Sequence, residues 1–296
     1  MIRAVARAKV NLRLAVLGKR PDGYHDLETV MQSISLADEL IFERADHSDV
    51  VITWAEGLEG PMPQHPDIVQ RTMAAVRLPE HERVRIHVVK RIPIGAGLGG
   101  ASADAAAALL GLEKLQGDPL ARLLTDQIAV ELGADVPFCL KGGIARATGI
   151  GEKLEPLDCA IPLWWVIGIS EAALPTVGVY RRFDELARSP SPCDERGSTA
   201  AMAEALAHGD VEAVASNLAN DLEPAAFDLM PVLERLKGEM TRAGALGSVM
   251  TGSGSAIIGL CRSEDHAAEV AGRAEASFPR VEVASGTPAG AEIVAG

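Results

Sequence analysis

Residues 93–104 read PIGAGLGGASAD and run straight into AAAALLGLEKLQ. Glycine tolerates positive φ and lets a ligand approach the backbone closely, so the cluster at Gly95, Gly97, Gly99 and Gly100 reads as a loop built for close approach. The stretch from Ala101 to Gln116 is rich in Ala and Leu, and Gly117 stands where a helix C-cap belongs. A small-residue loop opening an Ala-rich helix aims backbone amides and the positive helix end at one spot, which suits a polyanion.

Gly95, Gly97 and Gly100 fit the G-x-G-x-x-G template, which alone does not separate a dinucleotide from a nucleoside triphosphate. A dinucleotide fold needs a buried strand leading directly into the glycines and an acidic residue about twenty positions on. Here Lys90, Arg91 and Pro93 intervene, and Glu113 falls inside the helix. A Walker loop fails too, because no Gly-Lys-Ser/Thr follows. Ser102 is a hydroxyl placed to reach a phosphate or its metal; taken alone, it reads better as an ordinary helix N-terminal residue.

Composition narrows the rest. A chain of 296 residues exceeds the usual single core, so two domains are the leading expectation and one large domain the alternative. With 48% hydrophobic and only 3% aromatic residues the core is aliphatic, and each aromatic ring stands out. A net charge of −13 argues against a nucleic-acid or anionic-membrane partner. Cys139, Cys159, Cys193 and Cys261 form no C-x-x-C pair, which points to buried reduced thiols rather than zinc or a dithiol centre. The N-terminal MIRAVARAKVNLRLAVLGKR is broken by basic residues and lacks a signal peptide's apolar run, and IPLWWVIGI from Ile161 is half a membrane span. A soluble, cytoplasmic protein is expected.

Along the chain, Val10, Leu12, Leu14 and Val16 alternate with Lys9, Asn11 and Arg13, the period of a half-buried strand, so Lys9 and Asn11 share a face. RPDGYH, residues 20–25, reads as a turn. Further strands are expected at 39–44, 49–53 and 84–89, with a loop at 61–66. A helix is expected from Pro119 to Leu132 with an apolar face of Leu120, Leu123, Leu124 and Ile128; Gly133 stops it and Asp135 follows in a loop. Residues 189–198 read as a mobile loop. Helical patterns cover 199–206, 211–215 and 232–243, and SVMTGSGSAIIGLC sets a second glycine cluster between two short apolar runs.

PIGAGLGGASADAA, together with AKVNLRLAVLGKRPDGYHDLETVMQSISLAD and MTGSGSAIIGL, resembles the GHMP kinases, small-molecule kinases named for galactose, homoserine, mevalonate and phosphomevalonate. GKRPDGYH and LGADVPFCLKGGIARATGIGEKLEPL are similar to the branch acting on 4-diphosphocytidyl-2-C-methyl-D-erythritol, in the non-mevalonate isoprenoid pathway. The similarity spans nearly the whole chain. It implies an α+β fold in two domains, residues 1–157 and 158–296. The first is an α/β domain with a left-handed βαβ crossover, the second is ferredoxin-like, and the active site lies in the cleft between them. It also implies ATP-dependent phosphorylation of that substrate's 2-hydroxyl, with Mg2+ and ADP as product.

Residue roles follow from the resemblance. Asp135 is implied as the catalytic base and Lys9 as a cation near it and the reacting phosphate; a lone loop Asp or a strand Lys would otherwise read as a cap and a solvated side chain. Lys90 corresponds to a residue near the ATP base and phosphates. Pro93, Ile94, Gly95, Ala96, Gly97 and Leu98, continuing through Gly99, Gly100, Ala101, Ser102 and Ala103, are implied to hold the triphosphate, with Ser102 the one candidate metal ligand. Tyr24 is implied to stack on cytosine, His25 to bond its edge and Tyr180 to face it from the other side. Asn11 is implied to touch the same substrate. Gly252, Ser253 and Gly254 close around substrate phosphates or form only a tight hairpin, while Asn220, Asp221 and Leu222 are structural. Two positions depart from the pattern: Ala103 stands where a hydroxyl is common, and Asp67 where Asn is usual. The rival readings are another kinase of the superfamily, of homoserine or mevalonate type, and a non-catalytic nucleotide-binding protein on the same fold. A small-molecule partner and a monomer or homodimer are expected.

Overall fold

The computed structural model describes residues 1–63, 65–79, 82–117, 121–171, 173–186 and 198–294, with the backbone alone at 121–124. The expected helix start at Pro119, the apolar positions Leu120, Leu123 and Leu124, Cys193, and residues 189–197 of the expected loop lie outside that description.

The chain opens with two long antiparallel strands, β1 (Ile2–Lys19) and β2 (His25–Arg44), joined by the RPDGYH turn. Their length lets each take two partners on one side. Next to β2 lie β4 (Val84–Lys90), against Glu39–Arg44, and β5 (Ile144–Gly149), against Leu27–Gln32. Next to β1 lie β12 (Glu292–Val294) and the two-residue β8 (Ala219–Asn220). The expected strand at 39–44 is thus the end of a 20-residue strand. β3 (Asp49–Trp54) pairs in parallel with β4 through α1 (Ile68–Val76), a βαβ unit, and β6 (Lys153–Pro156) pairs with β5, completing an eight-stranded sheet.

On this sheet lies α2 (Gly100–Gln116), ended by Gly117 in the left-handed region. Ala103, Ala105, Ala106, Ala107 and Ala108 are all sealed in the core, so the helix is buried on nearly every side. Its small side chains are what allow this: a methyl group at Gly111 would lie 2.1 Å from the Phe42 ring. Two further helices follow, α3 (Ala121–Leu132) and the short α4 (Val136–Lys141).

The smaller sheet is antiparallel in the order β11-β7-β10-β9, from β7 (Trp164–Ile169), β9 (Gly247–Met250), β10 (Ile257–Cys261) and β11 (Arg280–Ser285). Numbered in chain order this is 4-1-3-2, the ferredoxin-like arrangement. Between β7 and β9 run α5 (Thr176–Leu186), α6 (Thr199–His208), α7 (Val211–Ser216), α8 (Glu223–Leu229) and α9 (Val232–Arg242); α10 (Glu264–Ala274) connects β10 to β11. The division expected at residues 157–158 falls between β6 and β7, while β8 and β12, both beyond it, pair with β1 in the larger sheet. Among the described residues no helix is long and apolar enough to cross a membrane.

β1 departs from the half-buried expectation. Val10 and Leu12 are wholly buried, but Lys9, Asn11 and Arg13 are also less than a tenth exposed. One face of the strand meets the aliphatic core and the other meets the loops described next, so neither looks at solvent.

Candidate active site

A cleft of about 890 Å³ runs between the glycine loop, the β1–β2 turn, α5 and the loop after β9. Lys9 and Asn11 enter it from one face of β1, as the strand period requires. A buried ammonium needs partners. Lys9 Nζ finds Asn11 Oδ1 at 2.6 Å and Asp135 Oδ2 at 3.2 Å. Asn11 is itself fixed: its amide Nδ2 donates to Thr29 Oγ1 at 2.9 Å, and its backbone N–H donates to Thr251 Oγ1 at 3.0 Å.

Asp135 is not in an open loop. It is the residue immediately before α4, with helical φ and ψ, and its side chain makes no capping bond. Pro137 at the second helical position needs no N–H there, and the carboxylate is left to turn toward Lys9. The ordinary reading of such a residue, a helix cap, is therefore the one its geometry excludes.

The glycine loop is fitted around Lys9 and around the second glycine cluster. Lys9 N–H donates to Leu98 C=O at 2.9 Å. Gly99 has φ of +70°, and a Cβ there would lie 2.8 Å from Lys9 Cγ. Gly97 has φ of +78°, and a Cβ there would lie 2.1 Å from the Thr251 carbonyl oxygen. The two glycine loops touch, and Ala256 N–H donates to Ala96 C=O at 3.0 Å. Asn220 holds the second loop from beneath, donating to Met250 C=O and Gly252 C=O, each at 2.7 Å. Ser253 pairs with Thr176 on α5 at 2.8 Å. All positions from Pro93 to Ser102 border the cleft. Ala103 does not: it is sealed in the core, so a hydroxyl at that position would not reach the cleft and the departure there removes no ligand.

Lys90 lines the cleft, yet its charge is already matched. Its ammonium sits between Asp38 and Asp104, 2.6 Å from Asp104 Oδ2, with all three side chains buried. Asp38 also accepts from the Ile92 N–H at 2.8 Å, which fixes the start of the glycine loop. Burial pushes the Asp104 carboxyl well above the usual range, opposed by Lys90 and reinforced by Asp38. Asp104 Oδ1 is buried without a hydrogen-bond partner. Asp67 caps α1, its Oδ1 accepting from Val69 N–H at 2.7 Å and Gln70 N–H at 3.0 Å in a reciprocal capping box. Beside it Ile52, Pro63, Pro66 and Ile68 give the cleft an apolar end.

At the opposite end, His25 stacks on Tyr180 with centroids 4.8 Å apart and planes at 28°, while Tyr24 is 61% exposed at the rim. Asp184 and Lys19 complete this end. Sequence reasoning missed Asp38, Asp104, Thr251 and Asp184. Asp104 and Thr251 stand inside the two glycine motifs, and Asp184 stands four residues after Tyr180 on one helix face, whereas Asp38 carried no local signal. Among the described residues no group of three or more His, Cys, Asp and Glu side chains is placed to hold a metal ion. The described cysteines are free thiols.

Two family models match the chain, the GHMP kinases N terminal domain over residues 67–143 and the GHMP kinases C terminal over 202–280. Fold, glycine loop and cleft thus define a GHMP kinase, an ATP-dependent small-molecule kinase. The chain is 40% identical over 301 residues to a 4-diphosphocytidyl-2-C-methyl-D-erythritol kinase of a Nocardioides species, covering 98% of each chain. It is 39% identical over 269 residues to that of Caldicellulosiruptor saccharolyticus, covering 90% and 91%. A crystal structure of 4-(cytidine 5'-diphospho)-2C-methyl-D-erythritol kinase matches at a TM-score of 0.77 and 37% identity, covering 96% of this chain and 98% of the other. The chain belongs to the 4-diphosphocytidyl-2-C-methyl-D-erythritol kinase family. A homoserine kinase from Cytophaga hutchinsonii, at 18% identity and a TM-score of 0.69, shares the fold alone.

Proposed function

We propose that the chain transfers the γ-phosphoryl group of ATP to the 2-hydroxyl of 4-diphosphocytidyl-2-C-methyl-D-erythritol, giving the 2-phosphate and ADP, a step of the non-mevalonate isoprenoid pathway. The observation that carries this is the Lys9–Asp135 pair, 3.2 Å apart, bordering one cleft with the glycine loop and the His25–Tyr180 rings. The names of relatives near 40% identity over nearly the whole chain support the same substrate.

Asp135 accepts the proton of the 2-hydroxyl as its oxygen attacks the γ-phosphorus, and the bond to the ADP oxygen breaks. Lys9, held by Asn11, pairs with Asp135 and offsets charge on the moving phosphoryl group. Backbone amides between Gly95 and Ser102 and the N-terminus of α2 hold the triphosphate. Asn11 then acts by orienting Lys9 as well as by touching substrate. The donors on offer are hard oxygens: the Ser102 hydroxyl borders the cleft at the start of α2, beside the Gly133–Asp135 turn. These fit magnesium held mainly by phosphates and water. Bound there, magnesium supplies neutralisation of phosphate charge. Tyr24 and Tyr180 flank the base and His25 meets its edge, a recognition that homoserine or mevalonate would leave unused.

The test is ADP release by purified protein with ATP and magnesium, comparing the diphosphocytidyl compound with homoserine and mevalonate. Turnover with the cytidine compound alone is expected. Turnover with another acceptor, or ATP binding with no turnover on any, overturns the assignment.

A further inference from the structure

His25 is held on several sides. Its ring stacks on Tyr180 and meets the edge of Phe183, with centroids 6.4 Å apart and planes at 85°. Its Nε2 lies 2.7 Å from Asp184 Oδ1, and Asp184 Oδ2 accepts from Lys19 Nζ at 2.5 Å. The His25 side chain is only 8% exposed yet lines the cleft, and Nδ1 has no partner among the described residues. Tyr180 and Asp184 lie one helical turn apart on α5, so one helix face supplies both the stacking ring and the carboxylate.

An ionised carboxylate only accepts hydrogen bonds. Burial pushes the Asp184 carboxyl up, but hydrogen bonds from Lys19 and His25 outweigh this and hold it below the usual carboxylate range. The proton between the two side chains therefore sits on Nε2. In a neutral imidazole the other nitrogen is then a lone-pair acceptor. Lys19 matters here, because its ammonium shares Asp184 with the ring and fixes the carboxylate that orients it.

We propose that Asp184 is a positioning residue for base selection: by holding His25 with its proton on Nε2, it presents Nδ1 as an acceptor that selects a pyrimidine carrying an exocyclic amino group over one carrying a carbonyl. This rests on the cytidine reading given above and assigns its selectivity. Stacking between aromatic rings accepts any base face. A fixed acceptor does not: cytosine offers it an N–H, while the carbonyl of uracil would set two lone pairs against each other.

The tautomer is measured first, on free protein labelled with 15N-histidine, with the His25 signals assigned through His25→Gln. A proton on Nε2 and a bare Nδ1 are expected, and a proton on Nδ1 overturns the proposal. Asp184→Asn can either accept or donate, so it should mix the tautomers. With the cytidine substrate this variant should raise KM about tenfold, more than it lowers kcat. Its preference for cytidine over the uridine analogue should fall from about 100-fold to less than about tenfold. Asp184→Glu should restore part of the preference. Equal losses for both analogues would leave Asp184 a merely structural residue and sink the idea. Titration with CMP and UMP, read at the His25 nitrogens, separates this from the parent assignment. If the wild type turns over neither nucleotide compound, the substrate assignment fails, while CMP binding in preference to UMP still supports the base selection and equal binding refutes it.

Discussion

Lys9 and Asp135 meet at 3.2 Å, the lysine side chain 6% exposed and the aspartate 32%. The asymmetry is informative: the cation is locked in place while the carboxylate keeps one side open to the cleft. Because Asp135 caps no helix amide, its replacement should leave the helix end intact and cost chemistry first. Asp135→Asn should lower kcat by about 10²–10⁴-fold, with a stability cost of about 1–3 kcal/mol from the lost carboxylate partner of buried Lys9. Steady-state kinetics beside urea unfolding checks both; full activity would remove Asp135 from the role of base.

Lys9→Met removes the cation and keeps the stem that packs beneath Gly99. The loss should fall on kcat, about 10²–10³-fold, with the smaller part in KM, because charge on the phosphoryl group is greatest in the transition state. A variant with raised KM and unchanged kcat would make Lys9 a binding group instead.

Gly97→Ala must place a methyl group 2.1 Å from the Thr251 carbonyl oxygen at φ of +78°. Backbone strain alone costs about 1–3 kcal/mol, and relieving the clash parts the two glycine loops. A lower thermal midpoint together with a higher KM for ATP is expected. Gly272→Ala is the control: nothing lies within 4 Å of it on α10, and the change should stabilise by about 0.5–1 kcal/mol.

Asp104 makes stability depend on pH. Burial raises its folded-state pKa, so the native chain binds this proton more tightly than the unfolded chain does. The resulting stabilisation is present in acid and is lost as pH rises through the folded value. Asp104→Asn should therefore gain on the wild type as pH rises above the ordinary carboxylate range, read from urea midpoints. Lys90→Met, which leaves the buried Asp38 and Asp104 side chains without their shared cation, should cost about 3–5 kcal/mol at neutral pH.

Asn220→Ala frees the carbonyls of Met250 and Gly252 and the Leu222 N–H, all bound by the Asn220 amide in a fully buried setting. The expected cost is at least about 2 kcal/mol, with weaker substrate binding as the second glycine loop loosens. Thermal unfolding with a substrate titration would show it.

Local pattern carried much of this. The alternation around Val10 put Lys9 and Asn11 on one face, and the helices expected at 101–116 and 232–243 appear as Gly100–Gln116 and Val232–Arg242. Glycine spacing located the loop that borders the cleft. The burial of Lys9, Asn11 and Arg13 was not legible, because alternation says that two faces differ, not that one is dry. Nor was the fate of Lys90, whose nearest charges arrive from β2 and α2.

The sequence by itself determined the residue types, the periods of strand and helix, and the backbone freedom at each glycine, all properties of short windows. Tertiary structure alone decided that Asp135 turns to Lys9 rather than to a helix amide, that Asp38 and Asp104 neutralise Lys90, and that Asp184 grips His25. Each of these joins segments far apart in the chain. Such pairs are set by strand register and helix packing, which depend on the whole core closing at once.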